Sequence, residues 1–509
     1  MSYTKNYFNL YLTMGISVSV NFLSMFIVTP MLTKQPVVYG IYMVCISTTI
    51  FLSYADLGFL GAAAKFSSEF FARKEFNKEV KLLGFVSFIL LCGAIIYTAL
   101  LLVVAYNPSI IIKNISDPSQ LTLARKLLII MAISAPLIIF QRCIQVLFSV
   151  RLEDYIIQRF NIGISLLKIA SVYYFFRGSN NNIVGYFLFS QSMLLISTAI
   201  VVHLAKKRYS FHLGEYLKSI KFSKELFELT KNFAFTSLLA VITWVIYYEM
   251  DPFAISRLLG PQQLAIYAIG LSLMTVFRTL FGVLYNPFNA RFNHFIGTKD
   301  YNGLSSFYSK VIFNFFPITI FPVLTITILM KKFILCWVGS LYSESIMISV
   351  ILLSSYLFSF ISYPSGILLS AQQRLSTINW LSILLVFIYW GGIAIFISTY
   401  QLKIFAVMKF STFAISAIVY LWITAKFLKG EFKKELKAGI LPLIAGSVVL
   451  LSVLLPCLHF LPEVKNKLFL GMVVSTGAAA CSLSIIVYIL LHNNLRLDMR
   501  NGLKRLMSK

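Results

Sequence analysis

Hydrophobic residues along this chain fall in continuous runs of about 20, bounded by charged residues, Asn or Pro, and not in strict alternation. Coiled as α-helix at about 1.5 Å per residue, such a run matches the ~30 Å hydrocarbon core of a bilayer. A spanning β-strand would alternate, and a helix satisfies its own backbone in lipid, so the runs predict helices and not a barrel. The pattern places fourteen spans near 10–33, 38–62, 82–106, 125–149, 156–176, 183–205, 233–256, 262–285, 308–330, 346–370, 377–400, 403–425, 438–460 and 468–491. The expected fold is an all-α polytopic membrane protein.

Composition sharpens this picture. Over 509 residues the chain is 59% hydrophobic and 12% charged, with a mean hydropathy of +0.83, which excludes a water-soluble globule. The first apolar stretch, Leu10 to Leu32, is too long for a signal-peptide core and lacks a small-x-small cleavage site, so it reads as a retained first span.

Charge then sets sidedness. Lys and Arg number 44 against 18 Asp and Glu, a net +26, and in a polytopic protein this excess first reports basic cytoplasmic loops, not nucleic-acid binding. With the N-terminus in the cytoplasm, about 29 of the 44 fall in or beside cytoplasmic segments and about 11 in outside ones. Both termini are therefore expected inside. Basic clusters at Arg73, Lys74, Lys78 and Lys81, at Lys206, Lys207 and Arg208, at Lys433, Lys434 and Lys437, and at Arg500, Lys504 and Arg505 read as topology determinants near anionic membrane lipids.

An internal repeat divides the chain. Lys74-Glu75-Phe76-Asn77 recurs as Lys299-Asp300-Tyr301-Asn302, and at the same offset Ile41-Tyr42 recurs as Ile266-Tyr267; Val146-Leu147-Phe148-Ser149 parallels Ile367-Leu368-Leu369-Ser370 at a slightly shorter one. Six spans, an even number, separate the copies, so they share one orientation. The expectation is two parallel, pseudo-symmetric six-helix lobes around a central cavity, at 1–205 and 233–427. A basic linker at 206–232 joins them, and a last helix pair with a basic tail fills 428–509. Two such lobes can rock and open a cavity to alternate sides, a physical route to transport.

Ionisable groups inside spans are costly and mark functional candidates. The cations are Arg142, Lys168, Arg278 and Lys409; the anions are Asp56, Glu249 and Asp251. The excess of cations suggests an anionic substrate, since Arg fits phosphate bidentately and Lys offers a movable charge. The first four are candidate substrate-binding residues of a cationic cavity and the last three candidate coupling or gating residues. Lys409 lies close enough to its span end to snorkel instead, and the repeat maps Asp56 near Arg278, so that pair reads equally well as a structural ion pair. Prolines at 30, 136, 252, 287, 317, 322, 364 and 442 are candidate bending points.

Enzyme chemistry has no visible constellation. No P-loop, G-x-S-x-G or H-E-x-x-H occurs. The five His and six Cys are scattered without metal spacing, so no cofactor or metal is expected. Phe222, Leu226, Leu229 and Phe233, with Lys221, Lys224 and Lys231, form an amphipathic pattern suited to an anionic surface, and Leu495 to Met507 is similar.

The run Tyr54-Ala55-Asp56-Leu57-Gly58-Phe59, the charged loop after it, and Leu259-Gly260-Pro261 with Ala265-Ile266-Tyr267 resemble Wzx-type polysaccharide (O-antigen and capsule repeat-unit) flippases. These belong to the multidrug/oligosaccharidyl-lipid/polysaccharide exporter superfamily. The resemblance implies a bacterial inner-membrane protein that moves undecaprenyl-diphosphate-linked oligosaccharide from the cytoplasmic to the periplasmic leaflet by alternating access. It also implies protons or sodium ions as candidate coupling ions and the polysaccharide polymerase machinery as a candidate partner. Alternatives are a lipid II flippase, a multidrug exporter of the same superfamily, and a polysaccharide polymerase or ligase. The last would need a sizeable outside loop, and the longest one expected here is about Asn107 to Ala124.

Overall fold

The computed structural model describes residues 3–54, 58–115, 117–177, 182–209, 212–372, 374–425, 431–492 and 495–496. Asp56 and most of the Leu495 to Met507 segment lie outside these residues. Every regular element among the described residues is helical: α1 Tyr3–Leu32, α2 Pro36–Ser47, α3 Thr49–Tyr54, α4 Phe59–Ala72, α5 Phe76–Tyr106, α6 Pro118–Val150, α7 Asp154–Phe175, α8 Ile183–Tyr209, α9 Leu213–Ser219 and α10 Lys224–Trp244 come first. A π-helical turn, Val245–Glu249, leads into α11 Asp251–Leu258. There follow α12 Pro261–Tyr285, α13 Phe288–Gly297, α14 Tyr301–Trp337, α15 Ser345–Ser354, α16 Ser359–Ala371, α17 Leu375–Tyr400, α18 Leu402–Thr424, α19 Glu431–Phe460 and α20 Lys467–Leu491.

Among the described residues the fourteen expected spans fall on helical stretches, and eleven of these are long and apolar enough to cross a membrane. The chain is a multi-pass membrane protein. The three spans outside that set are the second, fifth and seventh. The second is broken into α2, α3 and α4 and the seventh is broken by the π turn, while the fifth, α7, carries Arg159, Asn161 and Lys168. Irregular or polar stretches at membrane depth persist where they line a cavity or are enclosed by protein.

The backbone carries the repeat read from the sequence. Lys74 and Lys299, 225 residues apart, both adopt positive φ, 61° and 56°. Each ends a helix in the same way: Lys74 N donates to Phe71 O and Glu75 N to Phe70 O, as Lys299 N does to Ile296 O and Asp300 N to Phe295 O. This is the Schellman termination, built with lysine in the left-handed position. The second pair of matched segments ends alike, with Glu153 N donating to Phe148 O and Arg374 N to Leu369 O. Proline opens α2 at Pro36 and α12 at Pro261, again 225 apart, where its missing N–H costs nothing.

The chain forms two compact units, Met1–Ala265 and Ile266–Lys509. Within the first unit α10 packs against α4 and α11 against α2. The expected linker is anchored. Tyr216 of α9 is fully buried and its hydroxyl meets Ser87 Oγ of α5 at 2.5 Å, while Ser219 Oγ donates to Val80 O. Gly84 permits this approach, since a Cβ there would sit 1.9 Å from Ser219 Oγ and 2.6 Å from its backbone. The amphipathic pattern at 222–233 is the head of α10 and not a separate surface helix; Phe222 and Phe227 turn towards Phe85 and Phe59.

In the second unit α19 and α20 form a hairpin against α14, fastened at its turn. Lys332 Nζ donates to Leu461 O at 2.8 Å, and Lys331 and Lys332 both reach Glu463 at 2.9 Å. Hydrogen bonds from Lys332 and then Lys331 hold the Glu463 carboxyl below its ordinary value of 4.5. A depressed carboxylate contributes order above that value and loses it as pH falls through the folded pKa. Protection of residues 461–466 from hydrogen exchange, taken relative to the intrinsic rate at each pH, is accordingly expected to fall below pH 4.5 in the native protein, and protection that does not vary with pH in Glu463→Gln checks the assignment.

Candidate functional site

Two interrupted helices of the first unit meet at membrane depth. In the second span, Ser47, Thr48 and Thr49 turn their hydroxyls back onto the carbonyls of Met43, Cys45 and Ile46 at 2.8, 2.7 and 2.6 Å. Such back-bonding bends a helix, and the bend separates α2 from α3. Gly58, at φ 82°, then supplies the left-handed residue that starts α4. In the seventh span, Pro252 lacks an N–H for the carbonyl of Tyr248 and its ring crowds that carbonyl, so the ladder widens into the π turn just before it.

The π turn packs against α3, and the rings of Phe51 and Phe253 lie 5.0 Å apart. This brings Glu249, half-buried in the π turn, beside α3, with Asp251 two residues on. Asp251 is fully buried in the first turn of α11, where the helix dipole favours a carboxylate. From the other side, half-buried Arg142 of α6 donates through NH1 to Leu52 O of α3 at 3.4 Å. The short helix α3 is thus met by Arg142 on one side and by the π turn that carries Glu249 on another. Discontinuous helices at midplane form substrate and ion sites in transporters because their exposed backbone ends and enclosed charges can address a polar ligand.

Lys168 sits elsewhere in the unit. It is half-buried on α7, two turns or about 10 Å along from Asn161 on the same helical face. Asn161 Oδ1 accepts from Ser197 Oγ, which accepts from Gln141 Nε2 at 2.7 Å; Thr198 Oγ1 donates to Gln141 Oε1. A polar seam therefore crosses α6, α7 and α8. No carboxylate pairs with Lys168 among the described residues.

The second unit holds the other two cations apart. Arg278 of α12 is half-buried in an aromatic neighbourhood: Tyr363 donates to its carbonyl at 3.4 Å and stacks on Tyr285 at 5.5 Å. Lys409 is enclosed, 1% exposed, with its ammonium 4.3 Å from the ring centre of buried Tyr389. A cation–π contact of this kind holds charge inside a helix interface. Among the described residues no group of three or more His, Cys, Asp or Glu side chains could hold a metal ion.

Sequence reasoning missed three features. Lys65 of α4, exposed and flanked by Phe66 and Phe233 at 5.0 and 5.2 Å, lay in a stretch read as span end and loop. The Gln141–Ser197–Asn161 seam was signalled only by isolated polar residues in apolar runs. Glu79 and Arg151, 72 residues apart, form a buried bidentate pair that no local pattern announces.

No family model matches the chain, and no curated protein matches it. Solved structures do. A lipid II flippase, MurJ, in an inward closed conformation is 13% identical with a TM-score of 0.64, covering 95% of this chain and 99% of that one. An inward-facing multidrug resistance MATE family transporter of the MOP superfamily is 12% identical with a TM-score of 0.62, covering 83% and 96%. A MOP superfamily transporter from Pyrococcus furiosus, described by the reverse polarity of its binding pocket, is 12% identical with a TM-score of 0.56, covering 83% and 95%. The likeness establishes the fold.

Proposed function

We propose that the chain is a flippase that moves undecaprenyl-diphosphate-linked oligosaccharide repeat units from the cytoplasmic to the periplasmic leaflet of the bacterial inner membrane by alternating access. The observation that carries this reading is the set of half-buried intramembrane cations, Arg142, Lys168 and Arg278, on a fold shared with a lipid flippase over nearly its whole length. A diphosphate needs such groups to replace its hydration, and the guanidinium fork matches its oxygens. Glu249 and Asp251 at the helix interruption, with Asp56, would couple or gate the movement, with protons or sodium ions as the coupling species. Lys409, though enclosed against Tyr389, stays a member of the proposed cation set through rearrangement of α17 and α18.

Energetics favour export. A potential negative inside drives anions outward by about 2.3 kcal/mol per charge per 100 mV, so two net charges gain roughly 5 kcal/mol. The potential alone suffices to bias the direction. Anionic membrane lipids at the basic loops, and the polysaccharide polymerase machinery as recipient of the exported unit, complete the proposed setting. The MurJ likeness favours a second reading, in which the cargo is lipid II itself.

The test is genetic. Deleting the gene in its host is expected to accumulate complete lipid-linked repeat units in the cytoplasmic leaflet, relieved by the wild-type gene. Normal arrival of those units in the outer leaflet without the protein would overturn the reading; accumulation of lipid II instead would select the second.

A further inference from the structure

One end of the first unit is tied by charge where the repeat-related place in the second unit is tied by apolar contact. Arg151, at the end of α6, donates to both carboxylate oxygens of Glu79 on α5, at 2.7 and 2.8 Å, with side chains 10% and 2% exposed. Its guanidinium lies between the rings of Phe71 on α4 and Tyr209 on α8, at 4.4 and 4.6 Å. Glu153, two residues on and equally buried, accepts from the Tyr209 hydroxyl and from Arg208 at 2.8 Å. Four helices, α4, α5, α6 and α8, are thus fastened through one cluster of ions and rings.

The 225-residue offset places Leu304 at the position of Glu79 and Ile296 at that of Phe71. The shared hydrogen-bond pattern of the helix ends places Gln372 at that of Arg151. Leu304 is fully buried among Phe292, Tyr308, Ile312 and Leu368, with Ile296 packed against them. Among the described residues this corner is closed at the positions of Glu79 and Phe71 by apolar side chains, with Arg374 standing at the position of Glu153. A buried ion pair gives no more stability than well-packed apolar residues, because desolvation offsets the Coulomb gain, and its best-attested value is in specifying or switching a structure. Ions and water can also exchange partners reversibly, whereas an apolar seal reopens only by exposing hydrocarbon.

We propose that the Glu79–Arg151–Glu153–Tyr209 cluster is a latch that opens and closes during the transport cycle, while its apolar counterpart in the second unit stays shut. This inference rests on the alternating-access reading.

The test gives the first unit the second unit's residues, in the full-length protein in liposomes. The double variant Glu79→Leu/Arg151→Gln is expected to keep the thermal stability of the parent and to lose roughly tenfold or more of its transport rate. Parent-like transport by a folded double variant overturns the latch. Should that variant fail to fold, Ser67→Cys answers independently, since Ser67 is fully buried on α4 one turn before Phe71. Its maleimide labelling, read peptide by peptide, is expected to accelerate severalfold when cargo and a membrane potential are supplied. A labelling rate unmoved by cargo and potential overturns the latch. A parent that moves no lipid-linked oligosaccharide, yet labels faster with another cargo, would defeat the cargo assignment and leave the latch standing.

Discussion

Alanine at Gly40 is expected to prevent the first unit from assembling. Gly40 is buried on α2, and a Cβ built there would lie 1.8 Å from the carbonyl oxygen of Pro261 and 2.5 Å from its carbonyl carbon. Both are backbone atoms at the head of α12, so no flexible side chain can yield. Overpacking costs about 1–3 kcal/mol where neighbours relax, and more where they do not. The nearby backbone is also held, for Lys113 Nζ donates to Leu258 O at 2.8 Å and Arg257 to Ser109 O at 3.1 Å. Gly40→Ala should therefore lower the yield of folded protein in membranes and its thermal midpoint, measured by size-exclusion of detergent-solubilised protein after heating. Gly15→Ala, where a Cβ meets nothing within 4 Å, is the matched control and should behave as the parent.

The second large effect is on transport and not on folding. Arg142→Ala is expected to reduce the transport rate by about 10–100-fold, the equivalent of one or two charge-assisted hydrogen bonds at ~1.5–3 kcal/mol. Its bond to Leu52 O, at 3.4 Å, is long. Arg142→Lys should recover part of the rate, because the charge returns without the fork. Equal loss of rate and of folded protein in Arg142→Ala would show the residue to be structural. The same measurement on Lys409→Met separates the enclosed cation from the half-buried ones, with a smaller transport loss expected because Tyr389 shields that ammonium.

Much of the architecture was legible in the sequence because its causes are local. Span positions follow from hydropathy along the chain. The repeat showed in Lys74-Glu75 and Lys299-Asp300 because a helix termination imposes its own residue pattern. The place where Arg142 and the π turn meet α3 was not legible. It depends on α3 being set off by three consecutive hydroxyl back-bonds and on the π turn before Pro252, and either segment alone reads as plain span. The enclosure of Lys409 depends on which face of α17 presents Tyr389, and the Glu79–Arg151 pair on two helix ends 72 residues apart. Charge inside a span marks a residue as unusual; only packing tells whether a ring, a carboxylate or an open polar seam receives it. The anchoring of α9 by Tyr216 was likewise hidden in a basic, loop-like linker sequence.

The most direct test of the proposed function reconstitutes purified protein in liposomes that carry a labelled polyprenyl-diphosphate oligosaccharide in one leaflet, with an imposed potential. The label's arrival in the opposite leaflet is then followed by its accessibility to an added enzyme. Movement that requires the protein, is accelerated by the potential in the direction that carries anions down it, and falls at least about tenfold in Arg142→Ala and Lys168→Ala is the predicted result. Equal movement in protein-free liposomes, or full activity in both variants, would contradict it.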